Sequence, residues 1–153
     1  MTNIETFIAA WKSHRKVLHD MLEGVTTEQL SYRPWEKGMS LKELVLHITG
    51  AMDMFANTVQ NGAHTQGTKP ASPPETVEDL KAVVAASTER TEATLRTLTP
   101  EQLAQSIDFF GNAVPGFALL ENAKDHEIHH KGQLFTYLRL VGIEQLPFFV
   151  SRG

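Results

Sequence analysis

The chain of 153 residues contains no cysteine. That excludes disulfide scaffolds, iron–sulfur clusters, cysteine-ligated zinc ribbons and any thiol nucleophile of the protein's own. Positive charge is also in short supply. Lys plus Arg number 14 against 18 for Asp plus Glu, a formal net charge of −4, which opposes a dedicated nucleic-acid binder. No stretch approaches the roughly 18–20 uninterrupted apolar residues of a membrane-spanning helix. The opening Met1-Thr2-Asn3-Ile4-Glu5-Thr6 has neither a basic nor an apolar leader segment, so a cytoplasmic protein with no membrane partner is expected. What remains is a chain with 41% hydrophobic residues, enough for one core and one domain over 1–153. It also carries seven histidines, so a transition-metal site here has to be built from His and carboxylates.

The hydrophobic periodicity is helical almost throughout. Ile4, Phe7, Ile8, Trp11, Val17, Leu18, Met21 and Leu22 follow i, i+3, i+4 spacing, and Gly24 supplies a stop. Ser40 and Glu43 form a capping-box pattern ahead of Leu41, Leu44, Ile48, Ala51, Met52, Phe55 and Val59, ending near Gly62. Ala63 to Pro74 reads as a loop. Thr76 caps a third helix through Leu80, Val84 and Leu95, and a fourth runs from near Pro115 to Gly142. No segment sustains period-two alternation, so a sheet is not expected. Four amphipathic helices, each with one apolar stripe, predict an all-α four-helix bundle.

A faint duplication runs through the chain. Leu22 to Leu30 contains Thr-Thr-Glu-Gln-Leu, Leu95 to Leu103 contains Thr-Pro-Glu-Gln-Leu, and each precedes a His-bearing helix. Either this sequence is a common helix start, or the bundle consists of two related helix–turn–helix halves with His47 and the last helix's His cluster at equivalent ends.

His126 and His130 are four residues apart, so on a helix their β-carbons stand about 5–6 Å apart on one face. Two imidazoles so placed can converge on one cation at about 2.0–2.1 Å each. The pair follows the register of Leu120, Ala123, Leu134 and Tyr137, which predicts that it faces the bundle. His129 points about 100° away from His130. His47 lies at the edge of its own helix's apolar face, where a facing helix can supply a third donor. Spacing alone leaves two readings open: a metal site, or histidines hydrogen-bonded to backbone or carboxylates. His14, His19 and His64 read as surface residues. The run His126-Glu127-Ile128-His129-His130 fits H-E-x-x-H, the zinc-protease motif in which the Glu is a general base. The motif's downstream ligand is missing and no sheet edge is expected to bind peptide, so a protease is rejected. Glu127 stays a candidate base or supporting residue.

Asp125-His126-Glu127-Ile128-His129-His130-Lys131-Gly132-Gln133-Leu134, followed by Tyr137-Leu138-Arg139 and Gly142, resembles the signature of the DinB family, the DinB/YfiT-like metalloenzymes. Arg33-Pro34, Ser40-Leu41 and Leu46-His47-Ile48 look like that family's second-helix motif, and the similarity covers essentially the whole chain. The resemblance implies an up-down-down-up four-helix bundle, usually a homodimer, with a divalent metal (zinc or nickel) held by His47, His126 and His130. It implies chemistry on a small-molecule substrate: transfer or isomerisation with a low-molecular-weight thiol cosubstrate such as bacillithiol, mycothiol or glutathione. The family name derives from DNA-damage induction, which is not evidence of DNA binding.

Three neutral imidazoles on a dication leave open coordination positions. A water there becomes acidic enough for hydrolysis, or a substrate thiol binds as thiolate for S-transfer. Glu127 and His129 are candidate catalytic proton carriers, and otherwise solvated polar positions on the helix flank. Trp11 and Tyr137 either line the pocket or belong to the core. The competing functional readings are a non-catalytic metal-binding bundle and a stress-related interaction protein.

Overall fold

The computed structural model describes residues 2–152. Helix α1 spans Asn3–Leu22, and a 3₁₀ turn at Thr27–Ser31 leads to α2, Leu41–Asn61. A long loop precedes α3, Val77–Arg96; a short α4, Pro100–Ala104, and the strands β1, Ser106–Phe109, and β2, Asn112–Pro115, lead to α5, Gly116–Leu140. The helix starts follow from their caps. Ser40 Oγ accepts the Glu43 N–H at 3.1 Å, and Thr76 and Thr99 form capping boxes with Asp79 and Gln102. Gly62 ends α2 in the left-handed region at φ 76°, which glycine enters without steric cost.

Contacts between helices fix their directions. Lys12 pairs with Glu92 and Lys81 with Glu23, so α1 and α3 are antiparallel. Lys42 Nζ donates to the Pro74 carbonyl before α3, and Gln60 Nε2 to Thr97 Oγ1 after it. Hence α2 and α3 are parallel, and the loop between them returns along the bundle. The Tyr137 hydroxyl near the end of α5 donates to the Met39 carbonyl just before α2, making that pair antiparallel. The order is therefore up, down, down, up, an all-α bundle as expected. Both halves of the faint duplication, Thr26–Leu30 and Thr99–Leu103, form short capped helical turns.

The core is divided. One apolar cluster joins Val17, Leu18, Leu44, Ile48, Leu80, Val84, Leu134 and Leu138; the other joins Phe7, Trp11, Met52, Ala56, Leu95, Leu119 and Leu120. Between them every long helix contributes buried polar groups: Arg15 on α1, Thr49 and Asp53 on α2, Ser87 and Thr91 on α3, Glu127 and Lys131 on α5. This polar layer sits at mid-height, and the candidate site lies at the same level.

One departure from the sequence reading is the hairpin of β1 and β2, where no sheet was expected. Its strands have four residues each, too short to show a sustained alternation. Its loop, Phe110 and Gly111, has positive φ at both positions, 51° and 87°, as a type I′ turn requires, and only the glycine marks that turn in the sequence.

Candidate metal centre

His47 on α2 and His126 and His130 on α5 come together where these helices run side by side. The Nε2 atoms of His47 and His126 are 3.1 Å apart. Ring centroids are separated by 4.9 Å for His47 and His126, 4.7 Å for His47 and His130, and 4.4 Å for His126 and His130. One nitrogen from each ring lies within 4.8 Å of the others, a group that can hold a metal ion. A tetrahedral ion with bonds of about 2.0–2.1 Å would separate its donors by roughly 3.3 Å, which the 3.1 Å between His47 and His126 fits.

The charge state fits as well. Burial, then the neighbouring His130, His47 and His129, hold His126 down to about 4. Burial and His130 lower His47 too. Both imidazoles are thus neutral at pH 7, with lone pairs available. His130 Nδ1 lies 2.7 Å from Gln133 Oε1. Because the amide oxygen accepts, the proton is on Nδ1 and Nε2 is left as the donor atom, the usual support of a metal-bound histidine. His126 has no such support: its Nδ1 is buried without a partner among the described residues.

The pair does not face the bundle interior, as the register suggested. His126 and His130 are half-buried and His47 is exposed, so the group occupies an outer seam open to solvent. The inward positions of α5 at this level belong to Glu127 and Lys131. Glu127 Oε2 accepts from Arg15 Nε at 2.9 Å, and Oε1 accepts from Arg15 Nη2 at 2.6 Å and from Trp11 Nε1 at 3.1 Å. Both its oxygens are engaged with α1, on a different face of α5 from the three histidines. Lys131 Nζ donates to His14 Nδ1 at 2.9 Å and to the Phe149 carbonyl at 2.6 Å. Burial lowers its pKa to about 8.

His14 and His19 are therefore not plain surface residues. His14 accepts from Lys131, and His19 Nε2 lies 3.1 Å from Thr88 Oγ1. Each is half-buried because the polar layer needs partners on α1. His64 is exposed, beside Phe110 with centroids 5.0 Å apart. His129 is exposed with its ring 4.7 Å from that of His130. Trp11 and Tyr137 are buried core residues whose polar tips are bonded to Glu127 and Met39. Sequence reasoning missed Gln133 as the partner of His130. The signal was available, since three residues along a helix place the two side chains together.

The sequence profile of the DinB family matches residues 1–152. The chain belongs to the DinB family. The Bacillus subtilis protein YjoA is 40% identical over 160 residues, covering 99% of each chain. The crystal structure of a DinB-like protein from Bacillus subtilis, YjoA, has a TM-score of 0.85 at 40% identity, covering 97% of this chain and 99% of that one. A DinB-like protein from Bacillus cereus, 24% identical, shares the fold with a TM-score of 0.77 over 94% and 95% of the two chains. In this DinB-family bundle no helix among the described residues is long and apolar enough to cross a membrane.

Proposed function

We propose that this DinB-family chain is a divalent-metal-dependent enzyme acting on a small molecule, of the low-molecular-weight-thiol S-transferase or hydrolase type. The observation that carries this reading is the convergence of three imidazoles, His47, His126 and His130, on a seam that solvent and substrate can reach. An all-imidazole donor set suits zinc or nickel. When bound there, such an ion supplies Lewis acidity, making a water or a substrate thiol in its open position easier to deprotonate at neutral pH.

The protein's own residues supply the rest. Burial and mutual repulsion keep protons off His126 and His47, and Gln133 orients His130. We assign proton exchange with solvent to His129, whose exposed ring lies beside His130. Glu127, with both oxygens held by α1, is a positioning residue that fixes the rotation of α5. The chain has no cysteine, so a reacting thiol must arrive with the substrate.

The decisive experiment is elemental analysis of untagged protein, followed by conjugation of a model electrophile with glutathione, bacillithiol or mycothiol. About one divalent ion per chain, lost in His126→Ala and retained in His64→Ala, supports the metal centre. Thiol-dependent turnover that disappears with chelator and returns with zinc or nickel supports transfer, whereas turnover of an ester without thiol supports hydrolysis. Protein that stays metal-free after zinc or nickel addition overturns the reading.

A further inference from the structure

His47 has a second neighbourhood. On the side towards α3, His47 borders a cavity of about 460 Å³ between the parallel helices α2 and α3, roofed by residues 66–70. Pockets of this volume are typical of small-molecule sites. From His47 to Met54 the groove follows α2 for seven positions, roughly 10 Å at 1.5 Å per residue. His47 stands at one end. Arg90 on α3 stands near the other, opposite Asp53 of α2.

The roof is fastened. The Thr68 N–H donates to Asp53 Oδ2 at 2.6 Å, and the Thr65 N–H donates to Thr58 Oγ1 at 3.0 Å. Gly67 lies so close to α2 that a Cβ there would meet the Gly50 carbonyl oxygen at 2.9 Å and the Met54 nitrogen at 3.2 Å. The cavity is therefore built into the bundle, not left by a loose loop.

Its charge is one-sided. Arg90 and Lys69 line it and no acidic side chain does. Asp53, completely buried, stands behind Arg90 and sets its position: Arg90 Nε lies 3.5 Å from Asp53 Oδ1. Neither atom has a hydrogen-bond partner among the described residues. The ion pair turns the buried Nε towards Asp53, which leaves the two Nη nitrogens as the pair that can meet a carboxylate. The remaining walls include Ala51, Met54 and Val83, which suit an apolar body.

We propose that this groove binds a small organic carboxylate with an apolar body, its anionic head at Arg90 and Lys69 and its other end at His47. The ligand's role as substrate rests on the enzymatic reading above; its binding does not. The test is calorimetric titration with arylalkyl and alkyl carboxylates of four to ten carbons, each paired with its neutral primary amide, on chelator-treated and zinc-loaded protein. At least one acid should bind tenfold or more tightly than its amide. Arg90→Gln should remove that difference, and Ala86→Leu should block acid and amide alike. Ala86 is exposed on α3 at the groove, so this second variant keeps the fold if Arg90→Gln does not. Acid binding that persists in protein unable to hold metal supports the groove while refuting the enzyme. No preference for any acid over its amide, or unchanged binding in folded Arg90→Gln or in Ala86→Leu, overturns the proposal.

Discussion

The guanidinium of Arg15 on α1 grips both carboxylate oxygens of Glu127 on α5, and each side chain is only 1% exposed. A bidentate pair in this position ties two parallel helices together at mid-height. Removing one partner leaves the other's charge buried and unpaired, which costs about 3–5 kcal/mol. Arg15→Ala and Glu127→Gln should therefore each lower the melting temperature by roughly 10 °C. The double replacement Arg15→Met with Glu127→Leu removes both charges and should recover part of the loss, because the buried Trp11 N–H is left without its acceptor. If Glu127 instead carried protons at the metal centre, activity would stay lost in the stable double variant while metal content was retained. Thermal melts and turnover of the same preparations separate the two roles.

Metal should stabilise the fold. An ion that binds the native chain alone adds about 2.7 kcal/mol at one hundred times its dissociation constant, or roughly 5–10 °C in melting temperature for a chain of this size. His47→Ala, His126→Ala and His130→Ala should abolish that increment, and His64→Ala should leave it intact. His14→Ala is unsuitable as a control, because His14 accepts from the buried ammonium of Lys131.

Acid should weaken the metal-free protein before any carboxylate titrates. His126 is held near 4 in the fold, by burial first and the adjacent imidazoles second, against an ordinary 6.5. Below pH 6.5 the unfolded chain takes up a proton that the native chain refuses, so stability present above that value is lost as pH falls towards 4. His126→Gln should flatten this part of the profile. Urea melts between pH 7.5 and 4.5 on chelator-treated protein measure it.

Gly67→Ala should lift the loop from α2, because the new methyl would meet backbone atoms of Gly50 and Met54, which cannot swing aside. A loss of about 1–2 kcal/mol is expected, together with faster amide exchange at Thr68, whose N–H donates to Asp53. Unchanged exchange at Thr68 would mean that the contact is dispensable.

The four long helices were legible because each has an apolar stripe and α2 and α3 also have recognisable caps at Ser40 and Thr76, and the pairing of His126 with His130 was legible from helical spacing alone. His47 could be suggested from its place at the edge of the α2 stripe and from the faint duplication, but only the resemblance assigned it as the third ligand, since no local pattern fixes contacts between residues so far apart. The interior was less legible. Periodicity places the stripe of α5 but does not distinguish a histidine at its edge from a glutamate at its centre. The stripe passes through Ala123, Glu127, Lys131 and Leu134, and two charges at core positions read as surface until Arg15 and His14 are brought opposite them. Asp53 was hidden for the same reason: its partners, Thr68 and Arg90, lie on a loop and a helix that only the return of the chain brings together.

The separation of 79 residues between His47 and His126 ties the three-histidine group to completion of the fold. Before α2 and α5 meet, a folding chain would offer an ion only the two-point clamp of His126 and His130. The third donor arrives when α2 docks antiparallel against α5. If the ion of the proposed function binds here, its tight capture would wait until the bundle has closed, so metal content would report on completed folding.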